Sequence, residues 1–351
     1  MLGFYFALPF LLFALYRLFV VLYNYFTRPY LPIGTPTDNP LVSIFVYVQN
    51  SEKSIGKLLT GLSNQTHQNY EVLIYNDQST DKTVDIISEI SGGDKRFRLF
   101  NGNDVNSGWQ RKNYAYDKLV QLAKGQYYVF ADPELIIDSE IVANAISHMQ
   151  GKSLSLLTIY PKPQSQNFWT GLQISAFQQM FLSLVLVKYY LGKRAGDSYI
   201  LEKQLIIIEA NNYQTNRWFE KFKDIESLES KISDEIHLLN LKHDSLLGDD
   251  SLTYEVANSD NEITGYHIDL ITRFNKSRNG LIAYAIAVTL GLFIAIFLLP
   301  FPLVFLYIFA IIYSRMLLAM LYQQSVIASI LHLPVQFIVM TQVLVKAIKK
   351  S

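Results

Sequence analysis

No cysteine occurs in this chain of 351 residues. That excludes disulfides, thiolate nucleophiles and cysteine-ligated zinc together. Neither sign of charge is in excess, since 30 Lys and Arg stand against 30 Asp and Glu. A nucleic-acid partner calls for a basic surplus, so none is expected. The six histidines, His67, His148, His237, His243, His267 and His332, show no metal-ligand spacing. A G-x-S-x-G elbow and a G-x-x-x-x-G-K-S/T phosphate loop are both missing, as are internal repeats and low-complexity tracts.

What the chain has in quantity is apolar sequence, and it piles up at the two ends. Leu2 to Phe26 is broken only by Arg17 and Asn24. At 1.5 Å per residue that run crosses about 30 Å of hydrocarbon. Without a basic start or a small-residue cleavage site it reads as a retained anchor, not a signal peptide. Leu281 to Leu299 carries no charge, Leu303 to Leu321 only Arg315, and Pro300-Phe301-Pro302 separates them. Ser325 to Val345 is a weaker candidate, diluted by His332, Pro334 and several Gln and Thr residues. Buried core helices of a soluble protein are the alternative, but such helices usually keep a polar face. The predicted organisation is an anchor over 1–27, a water-facing domain over 38–280 and a membrane region over 281–351 with two or three helices. Arg28, Lys276, Arg278, Lys346, Lys349 and Lys350 flank these runs and favour the cytoplasmic side, which places the middle domain in the cytoplasm.

The middle domain opens with an α/β pattern. Val42 to Val48 is a β-branched and aromatic strand, ended by Gln49-Asn50-Ser51-Glu52. Ile55, Leu58, Leu59 and Leu62 recur at helical spacing within Ser54 to Leu62. Tyr70 to Tyr75 is a second strand, and Asn76-Asp77-Gln78-Ser79-Thr80-Asp81 leads into a helix from Thr83 to Ile90. Arg96 to Phe100 and Gly125 to Phe130 read as further strands. Ligands of open α/β sheets collect at the carboxyl ends of parallel strands, so Asn50, Glu52, Asn76 and Asp77 are predicted to converge on one crevice.

These residues resemble the opening of the family 2 glycosyltransferases with a GT-A fold, V-S-V-V-V-P-A-R-N-E-E followed by N-Q-x-Y-P-x-x-E-I-I-V-V-D-D-G-S-T-D. The matches are Val42-Ser43-Ile44, Asn50, Glu52, Asn64-Gln65-Thr66, Tyr70-Glu71-Val72, Asp77, Ser79, Thr80 and Asp81. Ser107 to Ala115 resembles the family's P-G-W-x-G-K-x-x-A. The resemblance runs from about Val42 to Arg278 and is specific at its beginning. It implies a membrane-anchored enzyme that takes a sugar from a nucleotide-sugar and passes it, with inversion, to a lipid, lipid-linked or cell-envelope glycan acceptor. It makes Asp77 an acceptor for the nucleotide base, with Trp109 and Lys112 beside the donor. Read alone, Asp77 is equally a carboxylate at a helix start.

Four further assignments follow from the resemblance. Where the family has D-x-D to hold Mg²⁺ or Mn²⁺ on the diphosphate, this chain has Phe130-Ala131-Asp132. Asp132 remains, with Glu134 the nearest other carboxylate, and a turn before Pro133 is the plain alternative. Asp234 and Glu235 stand where the family keeps the acidic pair that supplies the general base, though in reversed order, and both also suit the first turn of a helix capped by Ser233. Arg273 and Arg278 precede the second apolar run and either bind the diphosphate or anchor at lipid headgroups. Gly196 to Ile200 occupies the place of an acceptor-side loop. Loss of the first aspartate also leaves open a relative that binds nucleotide-sugars or serves as a membrane scaffold without catalysing transfer.

Overall fold

The computed structural model describes residues 2–27, 30–102, 108–165, 167–184, 186, 205–225, 231–232, 235–236, 238–256, 278–321 and 334–341. Contacts divide the chain into two compact units, one of 30–163 with 191–255, the other of 1–29, 164–190 and 256–351. Strands and helices are numbered below in chain order.

The first unit is built on β1 (Val42–Val48), β2 (Tyr70–Asn76), β3 (Phe97–Asn101), β4 (Tyr127–Ala131), β6 (Leu156–Tyr160), β8 (Leu205–Glu209) and β9 (His243–Leu247). They form one sheet in the order β3-β2-β1-β4-β8-β6-β9. Strands β3, β2, β1 and β4 are mutually parallel, whereas β8 runs antiparallel to both β4 and β6. A smaller sheet pairs β5 (Leu135–Ile137), β10 (Leu252–Glu255) and β7 (Lys162–Gln164) in the order β5-β10-β7. The four strands and two helices read from the sequence all form, with ends displaced by no more than two residues.

Side chains alternate across a strand, so β1 serves two cores. Val42, Ile44, Val46 and Val48 join a cluster with Ile55, Leu58, Leu59 and Leu62 of α2 (Ile55–Ser63), Ile87 of α3 (Thr83–Ser91), and Ile141, Val142, Ala145 and Ile146 of α5 (Ile141–Lys152). Phe45 faces the other way, into aromatic residues of α4 (Arg111–Leu122), α7 (Ala210–Asn216) and α8 (Trp218–Lys221). Cover on both faces explains why β1 and β2 are almost continuously apolar. Each fully buried Leu or Ile of α2 contributes about 1.5–3 kcal/mol.

The second unit is helical: α1 (Leu2–Thr27), α6 (Phe168–Leu182), α9 (Arg278–Thr289), α10 (Gly291–Leu298), α11 (Phe301–Leu321) and a helix over 334–341. The Cβ positions built on Gly3 and Gly291 lie 3.2 Å from Leu298 and 3.1 Å from Phe10, which makes α1 and α10 antiparallel neighbours. Pro300 and Pro302 bracket the start of α11, where a missing N–H costs nothing. Among the described residues two helices, Gly3–Thr27 and Phe301–Leu321, are long and apolar enough to cross a membrane. The single helix predicted over Leu281 to Leu299 is instead α9 and α10, which meet at Leu290. Phe297 and Phe301 are 80% and 76% exposed, an apolar surface of the kind found at protein or membrane contacts. Arg17 and Arg315 turn inward and are buried, and Arg17 Nε donates to Ser183 Oγ at 2.8 Å.

Candidate functional site

The parallel order β2-β1-β4 brings three strand ends to one edge of the sheet. Asn50 and Glu52 follow β1, Asn76 and Asp77 end and follow β2, and Asp132 follows β4. With β1 between them, the columns of Asp77 and Asp132 stand two strand spacings apart, about 9–10 Å.

Asn50, Glu52 and Asn76 are spent on shaping this edge. Asn50 adopts φ 49°, a left-handed conformation that Asn tolerates. Its N–H donates to Ser79 Oγ at 3.0 Å while its Oδ1 accepts from the Thr80 N–H at 2.9 Å. The Glu52 N–H donates to Asp81 Oδ2, and Glu52 Oε2 accepts from the Lys82 N–H, each at 3.1 Å. Asn76 Oδ1 accepts from the Ser79 N–H at 3.1 Å, and Asn76 Nδ2 donates to Asn101 Oδ1 at 3.0 Å. The loops after β1 and β2 are thereby bound into one rim.

Asp77 lies beneath that rim, its side chain only 1% exposed. Its N–H donates to the Val48 carbonyl at 2.8 Å, fixing it across from the end of β1. Asp77 Oδ2 accepts from Tyr47 Oη at 2.6 Å and from Arg111 Nε at 2.6 Å, and Oδ1 accepts from Arg111 Nη2. Burial by itself would raise the Asp77 pKa, but the Arg111 and Tyr47 hydrogen bonds outweigh it and hold the carboxyl below its ordinary value. The Tyr47 hydroxyl is pushed up, by burial first and by Asp77 second. The carboxylate is therefore ionised, and the Arg111 side chain that covers it is 43% exposed.

The cation on Asp77 is Arg111, the neighbour of the Lys112 that the resemblance sets beside the donor. The reason is geometric. Arg111 is the first residue of α4, and helical side chains lean toward the N-terminus, here toward the strand ends. Lys112 is about 100° further round the helix at 3.6 residues per turn, and its Nζ sits 5.9 Å from the Tyr116 ring centroid. Trp109 packs edge-on against Tyr114 at 5.7 Å. The start of α4 is held by Gln110 N–H on the Lys223 carbonyl at 2.7 Å and Asn113 Nδ2 on the Ile225 carbonyl at 2.8 Å. Arg111 was legible within the W-x-x-K pattern, but only its place at the helix start marks it.

Phe130 is part of the core, with ring centroids 5.0 Å from Phe45 and 5.1 Å from Tyr116 and Phe219. Asp132 Oδ1 accepts from the Glu134 N–H at 2.9 Å, an Asx-type turn through Pro133. Among the described residues no three His, Cys, Asp or Glu side chains gather to hold a metal. The donor set does not make a preformed cage. It does fit a hard cation brought in on a diphosphate, since such an ion takes one or two carboxylates and leaves its other positions to phosphate and water.

Glu235 Oε2 accepts from Lys221 Nζ at 2.5 Å, and the pair joins the chain around 235 to α8. Asp234, Arg273 and Gly196 to Ile200 lie outside the described residues, and Arg278 begins α9.

The profile of the family described as Glycosyl transferase family 2 matches residues 43–221. An uncharacterized glycosyltransferase of Haemophilus influenzae is 31% identical over 110 residues, 31% of this chain and 42% of that protein. The β-monoglucosyldiacylglycerol synthase of Nostoc is 27% identical over 140 residues, 39% of this chain and 30% of that protein. The chain thus aligns with less than half of the length of these curated relatives. Among solved structures, the mannosyltransferase PcManGT from Pyrobaculum calidifontis, in complex with GDP-Man and Mn²⁺, has a TM-score of 0.52 at 14% identity and covers 97% of this chain and 98% of its own. That likeness is one of fold. With a matching profile over half its length, a mixed seven-stranded sheet of GT-A type and acidic residues at the expected strand ends, the chain belongs to glycosyl transferase family 2.

Proposed function

We propose that this protein is a membrane-associated glycosyltransferase that takes a sugar from a nucleotide-sugar and passes it, with inversion, to a lipid, lipid-linked or cell-envelope glycan acceptor. The observation that carries the donor half is the shared sheet edge, where Asp77 and Asp132 are two strands apart. That span suits a nucleoside at Asp77 and its diphosphate at Asp132. The acceptor half rests on the apolar helices and on the lipid-acting name of the Nostoc relative.

In this reading an acceptor hydroxyl attacks the anomeric carbon as the bond to the nucleoside diphosphate breaks. Asp234 or Glu235 takes the hydroxyl proton. Lys221 Nζ pairs with Glu235 Oε2 at 2.5 Å and fixes the position of that carboxylate. A bound Mg²⁺ or Mn²⁺, held by Asp132 with Glu134 as the other candidate carboxylate, would neutralise the leaving diphosphate. Arg273 and Arg278 are proposed as additional diphosphate contacts. The burial of Phe130 in the aromatic core favours one second reading, a relative that binds nucleotide-sugars without transfer.

Calorimetry with UDP- and GDP-sugars, with and without Mn²⁺, on the wild type and Asp132→Ala separates the two. Metal-dependent binding that the variant loses supports the transferase and identifies its nucleotide. Binding indifferent to metal, or none, supports the non-catalytic relative.

A further inference from the structure

The helical unit keeps charge in its interior. Arg17 of α1 and Arg315 of α11 are 8% and 3% exposed, and helices α1, α6, α9, α10 and α11 contain no Asp or Glu. A cation on an apolar span turns inward only where something there offsets its loss of water. For Arg17 the described partners do so in part. Its Nε donates to Ser183 Oγ at 2.8 Å, and its guanidinium carbon lies 5.9 Å and 6.0 Å from the ring centroids of Phe13 and Tyr284. The N–H groups of its two Nη atoms meet no acceptor among the described residues. About 15 Å of helix separates Arg17 from Thr27 at the end of α1, which keeps the guanidinium from snorkelling to the headgroups there. Polar side chains gather at the same point. Gln179 stands one turn before Ser183, and its carbonyl accepts the Ser183 N–H at 3.1 Å. Gln179 Nε2 donates to Ser314 Oγ of α11 at 3.5 Å, whereas its Oε1 is buried and receives no donor.

We propose that Arg17 and Gln179 form a site within the helical unit for the headgroup of an anionic glycerophospholipid, the guanidinium donating to its phosphate oxygens and Gln179 Oε1 accepting from a headgroup hydroxyl. The inference rests on the membrane reading above. Unused charged donors beside an unused acceptor call for an anion that carries a hydroxyl. A guanidinium is the planar fork from which two phosphate oxygens accept together. The bilayer supplies such a group on the same molecule as hydrocarbon chains, and the outer face of α1 suits those chains, with Leu12, Tyr16 and Phe19 57%, 50% and 60% exposed. A carboxylate on the span of a second protein would also meet the cation. Close approach of two spans calls for small residues, however, and the exposed face of α1 is bulky. Reaching Arg17 draws the phosphate below the headgroup plane, which local thinning of the bilayer permits. A lipid held in this way is a resident part of the bundle, unlike an acceptor that leaves after each transfer.

The test titrates delipidated, detergent-purified full-length protein with dioleoylphosphatidylglycerol, dioleoylphosphatidylcholine and glycerol 3-phosphate, reading binding by native mass spectrometry. Wild type, Arg17→Gln, Arg17→Lys and Gln179→Leu are compared, with melting temperature as the check on folding. Wild type is expected to hold one phosphatidylglycerol in preference to phosphatidylcholine and to ignore the chain-free glycerol 3-phosphate. Arg17→Gln should weaken phosphatidylglycerol binding by about tenfold, the worth of one charge-assisted contact, and leave phosphatidylcholine unaffected. Arg17→Lys keeps the charge without the fork, so it should fall between. Gln179→Leu removes the hydroxyl contact alone and should weaken phosphatidylglycerol about fivefold. The proposal is overturned if folded Arg17→Gln binds phosphatidylglycerol as wild type does, or if wild type does not distinguish the two lipids. Where Arg17→Gln does not fold, wild-type binding by both Arg17→Lys and Gln179→Leu overturns it equally. Competition by glycerol 3-phosphate at matched concentration would mark a site for free phosphate and overturn the lipid. A second membrane protein that co-purifies with wild type and is lost from Arg17→Gln would overturn it in favour of a protein partner. Protein that stays in solution without detergent removes the membrane reading itself, a result distinct from a detergent-dependent protein that binds no lipid.

Discussion

Phe130 occupies the first position of the family's metal motif, and its surroundings explain why an aspartate there would be poorly accommodated. The side chain is 6% exposed and closes an aromatic group with Phe45, Tyr116 and Phe219. Phe130→Asp is expected to destabilise the protein by about 3–5 kcal/mol, the range for emptying a buried Phe position, without a gain in Mn²⁺ affinity. Thermal unfolding and Mn²⁺ titration check the two halves separately, and tighter Mn²⁺ binding at unchanged stability would contradict the account. Tyr47→Phe removes one hydrogen bond to an ionised carboxylate and should lower stability by about 1.5–3 kcal/mol. Asp77 keeps its charge down through the ordinary carboxylate range, because its folded pKa is depressed. The contribution of its network is thus fully present above the usual 3.8 and disappears only as pH falls through the lower folded value.

Between elements, close approach and paired charge do the holding. Gly61 lies in the last turn of α2, and a Cβ there would stand 2.5 Å from the Ile137 carbonyl oxygen of β5. Gly61→Ala is expected to lower stability by about 1–3 kcal/mol through overpacking, although alanine improves helix propensity. An unchanged or higher melting temperature would show that α2 and β5 can separate freely. Just beyond, Gln65 is 1% exposed, donates to the Asp138 carbonyl at 2.6 Å and accepts from the Val142 N–H at 3.1 Å, joining the end of α2 to the start of α5. At the N-terminal end of β9, away from the proposed site, Asp244 accepts from Lys152 Nζ at 2.6 Å and contacts His148 Nε2 at 2.9 Å. Burial opposes its charge, but these partners bring its pKa down to about 2. Its stabilisation is therefore complete above the usual 3.8 and is lost as pH falls through about 2. Asp244→Asn should cost about 1.5–3 kcal/mol at neutral pH, and the gap from wild type should close on acidification toward that value.

At the scale of the whole molecule, every Asp and Glu falls between Asp38 and Asp269, so neither apolar end carries a carboxylate. The inward-facing Arg17 and Arg315 keep their charges away from the exposed Phe side chains of the outer face. The protein is expected to remain with membranes through an alkaline carbonate wash, and recovery in the soluble fraction would refute the anchor. Lack of cysteine makes sidedness directly measurable. A single Glu89→Cys on the exposed face of α3 should react with an impermeant maleimide only after lysis if the sheet-bearing unit is cytoplasmic. Labelling of intact cells would invert the orientation.

The sequence by itself determined the opening βαβ pattern, because β1 and β2 are covered on both faces and α2 on one, leaving a continuous apolar run in Val42 to Val48 and a helical period in Ile55, Leu58, Leu59 and Leu62. It also determined the family, through short motifs whose polar residues proved to be the rim of Asn50, Glu52 and Asn76. Only the tertiary structure decided the antiparallel insertion of β8 between β4 and β6 and the allegiance of α6 to α1, where Asn24 Nδ2 donates to the Leu182 carbonyl at 2.8 Å. Such pairings join residues far apart in the chain and leave no local period to read. That Arg111 and not Lys112 pairs with Asp77 has the same origin, since one residue's rotation about a helix axis separates a latch on Asp77 from a contact with Tyr116.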